Sequence, residues 1–545
     1  QRGKGVAAHA SRRRRSSFAS GGRRAGLWSW EDSAAALPLA MGQRQSSHAT
    51  VGSFDGPVSQ QRVHPDDALV SREAFFDAFR PRAPGEPTAL SLLKGSWLRE
   101  RANQLRAAKQ RGDADAVRRL AIARRQEMPE AAFMTADECC ELSETIPSHF
   151  NRVAAIGGSY CWRTREHPDP EGDSLLALAD GLEDIYRKKA EGVGGGYNIY
   201  QDFPEDVGIF WDYPCLFQHP PGGKRTEAEE RLFQEALGSL EMIYAHQLTT
   251  VFVLSKSAPP TRPSYEHSGW TTYEGTVARI LKVNYNFVWP AVIDLQPDEG
   301  TASTPPKPPL SIAEFNKKVK TLHFTNGADS DVVRGIYERT MRRALGGAKQ
   351  LAYSSSAWDD ADGVSFAASL PLCSRLERLK LGTNKLGDRG LAALAAGLAK
   401  VPQLKELNVE GNGFGDDGLV ALVAALPGLP RLAQLSISNN RRIGAAGLRA
   451  LGRAELPSVS NLQMSNSSFS EPSAFLDELQ AGSLPSLRQL WIMFNEKMSV
   501  VDPLIRALNR GAMPKLELIL AKDTLERQDV DVICKARPGL KVDIR

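Results

Sequence analysis

Several protein classes are excluded by what this 545-residue chain lacks. No uninterrupted apolar run approaches the ~18 residues of a membrane-spanning helix, which excludes a helical span. Cysteine is scarce. The six residues Cys139, Cys140, Cys161, Cys215, Cys373 and Cys534 contain no Cys-x-x-Cys pair, so free thiols in a reducing, cytoplasmic compartment are expected rather than a disulfide scaffold. Nine histidines are present without a His-x-x-x-His pair, and no metal site is expected. A one-sided charge is also missing: 68 basic residues meet 64 acidic ones, a net charge of +4 that does not call for nucleic acid as a partner. Gly222-Gly223-Lys224-Arg225-Thr226 lacks the leading glycine of a phosphate loop, because Gln218 stands there. What the chain does have is length, past the ~250 to 300 residues that one core serves, so at least two domains are expected.

Residues 1–40, rich in Arg, Ser, Gly and Ala, read as a disordered leader or targeting segment. Met41-Gly42-Gln43-Arg44-Gln45-Ser46 fits the pattern for myristoylation of Gly42, provided that translation starts at Met41. Residues 41–134 read as mostly disordered, with a basic amphipathic helix near 94–128. From Lys94 to Arg125 ten basic residues face three acidic ones. Such a stretch suits peripheral membrane contact beside a lipid anchor, or a solvated helix lying on the next domain.

The carboxyl half repeats itself. Val319, Ala348, Leu376, Leu404, Leu432, Val459, Leu487 and Leu516 open units at intervals of 27 to 29 residues. The clearest read L-x-x-L-x-L-x-x-N: Leu376, Leu379, Leu381, Asn384, then Leu404, Leu407, Val409, Asn412, then Leu432, Leu435, Ile437, Asn440. These units resemble leucine-rich repeats of the helix-containing, ribonuclease-inhibitor type. Alternation makes a short strand with one buried face, the Asn satisfies backbone groups at the turn, and Gly390, Leu391, Leu394 and Leu398 form a helical stripe behind it. No unit can bury both faces alone, so residues 311–545 are expected to stack into an α/β solenoid with a parallel sheet on its concave side. Arg378, Lys380, Glu406, Asn408, Glu410, Gln434, Trp491 and Met493 point into that concavity and are the expected contacts for a protein partner; for Trp491, burial under the last unit is the alternative.

Between 135 and 296 short apolar strands alternate with amphipathic helices, which predicts a parallel sheet covered on both faces. Ligands in such sheets bind beyond the strand carboxyl ends, here Gly157–Arg163, Asp212–Gln218 and Ser255–Trp270. VAAIGGSYCW from Val153, IFWDYPCLFQ from Ile209 and SGWTTYEG from Ser268 resemble fungal heterokaryon-incompatibility (HET) domains and are similar to the related Toll-type TIR fold. The resemblance implies a three-layer α/β domain of the cell-death or immune signalling type, which is expected to transmit its signal by self-association. In some TIR members it implies an NAD glycohydrolase, with NAD as substrate and no cofactor required. Glu274 then matches the catalytic Glu, and Trp270, Asp212, Tyr160 and Trp162 line the mouth. A carboxylate serves there because scission of the nicotinamide bond builds positive charge on the ribose. Thr271 replaces the TIR Cys. Five prolines in 297–310 read as a stiff linker between the two domains. The whole is expected to be a signalling or adaptor protein.

Overall fold

Among the described residues the fold contains two sheets. In the computed structural model residues 67–544 are described, apart from 165, 193–197, 257–261, 284–287, 297–299, 303–306, 467–472 and 494–499. Gly42 and the 1–40 leader lie outside them. The first sheet holds β1 (Leu92–Lys94), β2 (Phe133–Met134), β3 (Ala155–Ser159), β4 (Gly208–Phe210), β5 (Thr250–Val253), β6 (Val292–Gln296) and β7 (Gly300–Ala302) in the order β2-β1-β4-β3-β5-β6-β7. Its centre, β4-β3-β5-β6, is parallel, and β1, β2 and β7 add antiparallel edges. Every residue of β3 and β5 is buried, as a sheet covered on both faces requires. The Asp173–Glu191 helix covers one stretch with Leu175, Leu178, Leu182 and Ile185, and the Asp169 carboxylate caps it by accepting from the Ser174 and Leu175 N–H groups at 3.0 and 2.8 Å.

This sheet begins earlier than the sequence suggests. Residues 67–134, read as mostly disordered, supply two of its strands, and the basic stretch forms the helices Gly95–Gln110 and Ala114–Leu120. The first buries Leu98, Ala102, Leu105 and Ala108. Its charges meet the domain itself, Arg106 pairing with Asp180 and Glu183 and Lys109 with Asp173. Of the two alternatives for this stretch, the helix lying on the next domain is the one observed. Composition misleads here because long cationic stems cover apolar surface while their heads stay polar.

The second sheet is all parallel and runs in strict order through β8 (Gln350–Ala352), β9 (Arg378–Lys380), β10 (Glu406–Asn408), β11 (Gln434–Ser436), β12 (Asn461–Gln463), β13 (Gln489–Trp491), β14 (Leu518–Leu520) and β15 (Lys541–Asp543). Helices such as Asp388–Leu398 and Asp416–Ala425 pack behind the strands. The register assigned to Val319 is no strand: Val319 closes the Ile312–Val319 helix, whose start is held by a Ser311–Glu314 capping box. The place of that unit is taken by a single parallel bridge between His323 and Ser268 of the first region.

The proline-rich stretch does not separate the two regions. Gly300–Ala302 pairs with β6, and the first sheet's helices dock on the Asp329–Gly347 helix, which leads into β8. Fully buried Glu241 accepts from Thr340 Oγ1 at 3.0 Å and pairs with Arg343. Tyr273 Oη lies 3.3 Å from Thr340 Oγ1, and Tyr353 Oη donates to the Ile280 carbonyl at 2.6 Å. One apolar core runs through both regions.

Candidate functional site

At the carboxyl ends of β3 and β4 the chain leaves the sheet as Ser159-Tyr160-Cys161-Trp162 and as the short helix Asp212–Cys215. The sheet is able to crowd here because Gly157 has no side chain: a Cβ would stand 2.6 Å from Ile243 Cγ2. Asp212 accepts from Tyr160 Oη at 2.7 Å and from Trp162 Nε1 at 2.9 Å. Burial raises its pKa, while these two donors and the Tyr213 N–H work against that rise. Glu274 sits alongside on the Gly269–Val277 helix. Ser159 Oγ is 2.6 Å from Glu274 Oε2 and 2.6 Å from Tyr265 Oη, so the three form a chain of short hydrogen bonds. Burial, and then the nearby Asp212 charge, push the Glu274 carboxyl well above the usual range despite the Ser159 bond. It is 9% exposed.

Four of the five residues expected at this mouth therefore converge. The fifth does not. Trp270 Nε1 donates to Asp329 Oδ2 at 3.0 Å, on the helix that caps the repeats. Its neighbour Gly269 is there for the same contact, since a Cβ would collide with the Phe324 ring at 2.0 Å. In this chain the Gly-Trp pair of the Gly-Trp-x-x-x-Glu segment thus fastens the α/β region to the solenoid, and only its Glu faces the strand ends. The sequence reading missed Ser159 and Tyr265. Ser159 was legible as the polar residue closing an otherwise apolar strand, whereas Tyr265 comes from a loop with no periodic signal.

In the solenoid the asparagines form a ladder. Asn412 Nδ2 donates to the carbonyls of Leu381 and Val409 at 2.9 and 3.0 Å, and its Oδ1 accepts from the Leu386 N–H at 3.2 Å. Asn384 and Asn440 repeat the arrangement. A second ladder, not anticipated, runs along the helix starts. Asp388 Oδ1 accepts from the N–H groups of Gly415 and Gly418 in the next unit at 2.6 and 3.0 Å, and Asp416 does the same for Gly444 and Gly447 at 2.7 and 2.9 Å. Each carboxylate caps its neighbour's helix. The signal was the spacing Gly-Asp-x-Gly-Leu, which stops where Ala445 replaces Asp.

The lane of strand residues expected to meet a partner divides. Glu406 and Asn408 are buried at 9% and 4% exposure, packed into a polar row in which Lys380 approaches Glu406 at 3.8 Å and Asn408 Oδ1 accepts from the Glu410 N–H. Neither offers a partner much surface. Arg378 is exposed, and Lys380, Glu410, Gln434, Trp491 and Met493 are half-buried. Trp491 Nε1 reaches Gln489 Oε1 at 3.4 Å. The Leucine Rich repeat family matches residues 373–395 and 402–423. Residues 373–423 are leucine-rich repeats. Among solved structures the chain is similar to one in the crystal structure of the Rad7 and Elc1 complex in yeast, at 15% identity, covering 57% of this chain and 84% of that one with a TM-score of 0.23. None of the curated proteins compared with it matches this chain.

Proposed function

We propose that this chain is a protein-interaction scaffold of the adaptor kind, which grips a protein partner along the concave face of its repeats. The observation that carries the reading is the graded lane itself. Exposed Arg378 lies at one end, a hydrogen-bonded polar floor in the middle, and the half-buried Trp491 and Met493 at the other. Aromatic and Arg side chains supply most of the energy of protein contacts, and a buried polar floor supplies shape without mobility. A cytoplasmic signalling role, self-association of the α/β region and an anchor at Gly42 extend the same proposal. The test is affinity capture with the full chain and with an Arg378→Glu, Trp491→Ala double variant that keeps the wild-type melting temperature. Proteins held by the wild type and lost by the variant support the reading. An unchanged set of captured proteins would sink it.

NAD cleavage is a second reading, supported by the convergence of Ser159, Asp212 and Glu274 at the strand ends. It stands behind the first because the Glu274 carboxyl is buried and its pKa is raised by that burial, which disfavours the charged form that would stabilise a cationic ribose. Incubation of the full chain with NAD discriminates the two. Nicotinamide release that disappears in Glu274→Gln would put the enzyme first, and no release leaves the scaffold.

A further inference from the structure

The Asp329–Gly347 helix joins the two regions and has two unlike faces. Val333, Ile336, Tyr337, Met341 and Leu345 are buried. The other stripe, Gly335, Glu338, Arg339, Arg342 and Arg343, recurs at the i, i+3, i+4, i+7, i+8 spacing that aligns side chains on one side of a helix. It lines an open groove of about 460 Å³. We infer that this groove is a binding site for a phosphoryl group.

Three observations converge on that chemistry. Positive charge is in excess, because three guanidiniums meet two carboxylates, Glu241 and Glu338. Donors are also in excess. Arg343 Nη1 holds Glu241, whereas Arg339 Nε lies 3.8 Å from the same carboxylate and its Nη2 reaches the Leu237 carbonyl at 3.4 Å, both long contacts. Arg342 bonds to Glu338 one turn back through Nε and Nη2 at 3.0 and 2.8 Å. Each guanidinium has five N–H donors in a flat fork, so most of those on Arg339 and Arg343 stay open to the groove. Finally, the floor is empty. Nothing lies within 4 Å of the point where a Gly335 Cβ would project, so packing does not demand glycine there, although glycine is a poor mid-helix residue.

A phosphoryl group presents several acceptor oxygens and close to two negative charges, and it accepts paired N–H bonds from such forks. It would displace the single charge of Glu338 from Arg342 and bridge Arg342 to Arg339 and Arg343. Fully buried Glu241 would stay beneath as the fixed counter-charge that holds Arg343 in place. The group is carried by a phosphorylated protein segment or by a small phosphorylated molecule, and the chemistry of recognition is the same. The site is separate from the concave lane and stands whether or not that lane binds a partner.

The experiment is calorimetric titration of the full chain at low salt with two probes, inorganic pyrophosphate and a degenerate phosphoserine peptide pool, with the unphosphorylated pool as control. Two variants accompany it. Arg342→Ala removes a solvent-facing guanidinium outside the Glu241 network, and Gly335→Leu fills the floor with a better helix former. Binding of either phosphorylated probe is expected to weaken about tenfold in Arg342→Ala, the loss of one charge-assisted contact, and to vanish in Gly335→Leu with circular dichroism unchanged. Pyrophosphate binding alone assigns a small ligand, and tighter binding of the phosphopeptide pool assigns a protein segment. The inference is overturned if neither phosphorylated probe binds, if the unphosphorylated pool binds equally, or if both variants bind as the wild type does.

Discussion

The repeat region solves one problem many times, and the α/β region solves many problems once. Asn384, Asn412 and Asn440 meet equivalent carbonyls at equivalent turns, and Asp388 and Asp416 cap equivalent helices. In the α/β region the buried charged groups each have partners of their own: Asp212 has Tyr160 and Trp162, Glu274 has Ser159, Lys282 has Thr249 and the His246 carbonyl, and Glu241 has Arg343 and Thr340. A repeated contact distributes stability along neighbouring units, as in other stacked arrays. A unique one concentrates it, and losing either partner strands the other in a dry interior.

The largest effect is expected where the two regions meet. Glu241→Ala leaves Arg343 and Thr340 without their acceptor and should cost about 3–5 kcal/mol. Because the contact also joins the regions, the wild type should melt in one calorimetric transition and the variant in two. Retention of one transition would show that the apolar contacts alone couple them.

Next comes acidity, which should act on the α/β region and spare the ladders. Burial draws His246 down from 6.5 to about 3, with Lys282 adding to the effect. The folded state therefore keeps His246 neutral while the unfolded chain protonates below 6.5. The stability linked to it is present above that pH and falls away toward 3, by about 3 kcal/mol at pH 4. Glu274 works in the other direction, since its raised pKa means stability is fully present below 4.5 and declines as pH rises above it. Urea melts at pH 4, 6 and 8 should find His246→Gln less acid-sensitive than wild type, and Glu274→Gln more stable than wild type at pH 8 but equal at pH 4.

The ladders provide the smallest effects and the sharpest contrast. Asn412→Ala should cost about 2–3 kcal/mol, because several buried backbone groups lose their partner together. Asp388→Ala should cost about 1 kcal/mol, the usual value of a helix cap. Hydrogen exchange should show protection lost in the altered unit and its neighbours while β3 and β5 keep theirs. Loss spread over both sheets would contradict a nearest-neighbour array.

Legibility followed the same division. Strands β8 to β14, the helices behind them and the asparagines could be read because each argument was available several times over. The strand ends carrying Tyr160 and Asp212 could be read because parallel sheets place ligands there, whereas Glu274, on a helix, was legible only through the resemblance of its segment. Three things could not. The strands at 92–94 and 133–134 are two or three residues long, too short for a period to show. The role of Trp270 depends on Asp329, 59 residues away, and nothing local announces it. The burial of Glu406 and Asn408 depends on side-chain packing between units, which alternation does not encode.

The aromatic seam between the regions limits how the protein can be cut. Trp270 bonds to Asp329, Tyr273 abuts Thr340, and Tyr353 bonds to the Ile280 carbonyl. An incision at the prolines, the place where a conventional trimming would fall, bares this greasy underside on both fragments. Expressed separately, the two pieces should be sticky and prone to precipitate, and mixing them should restore solubility as each covers the other.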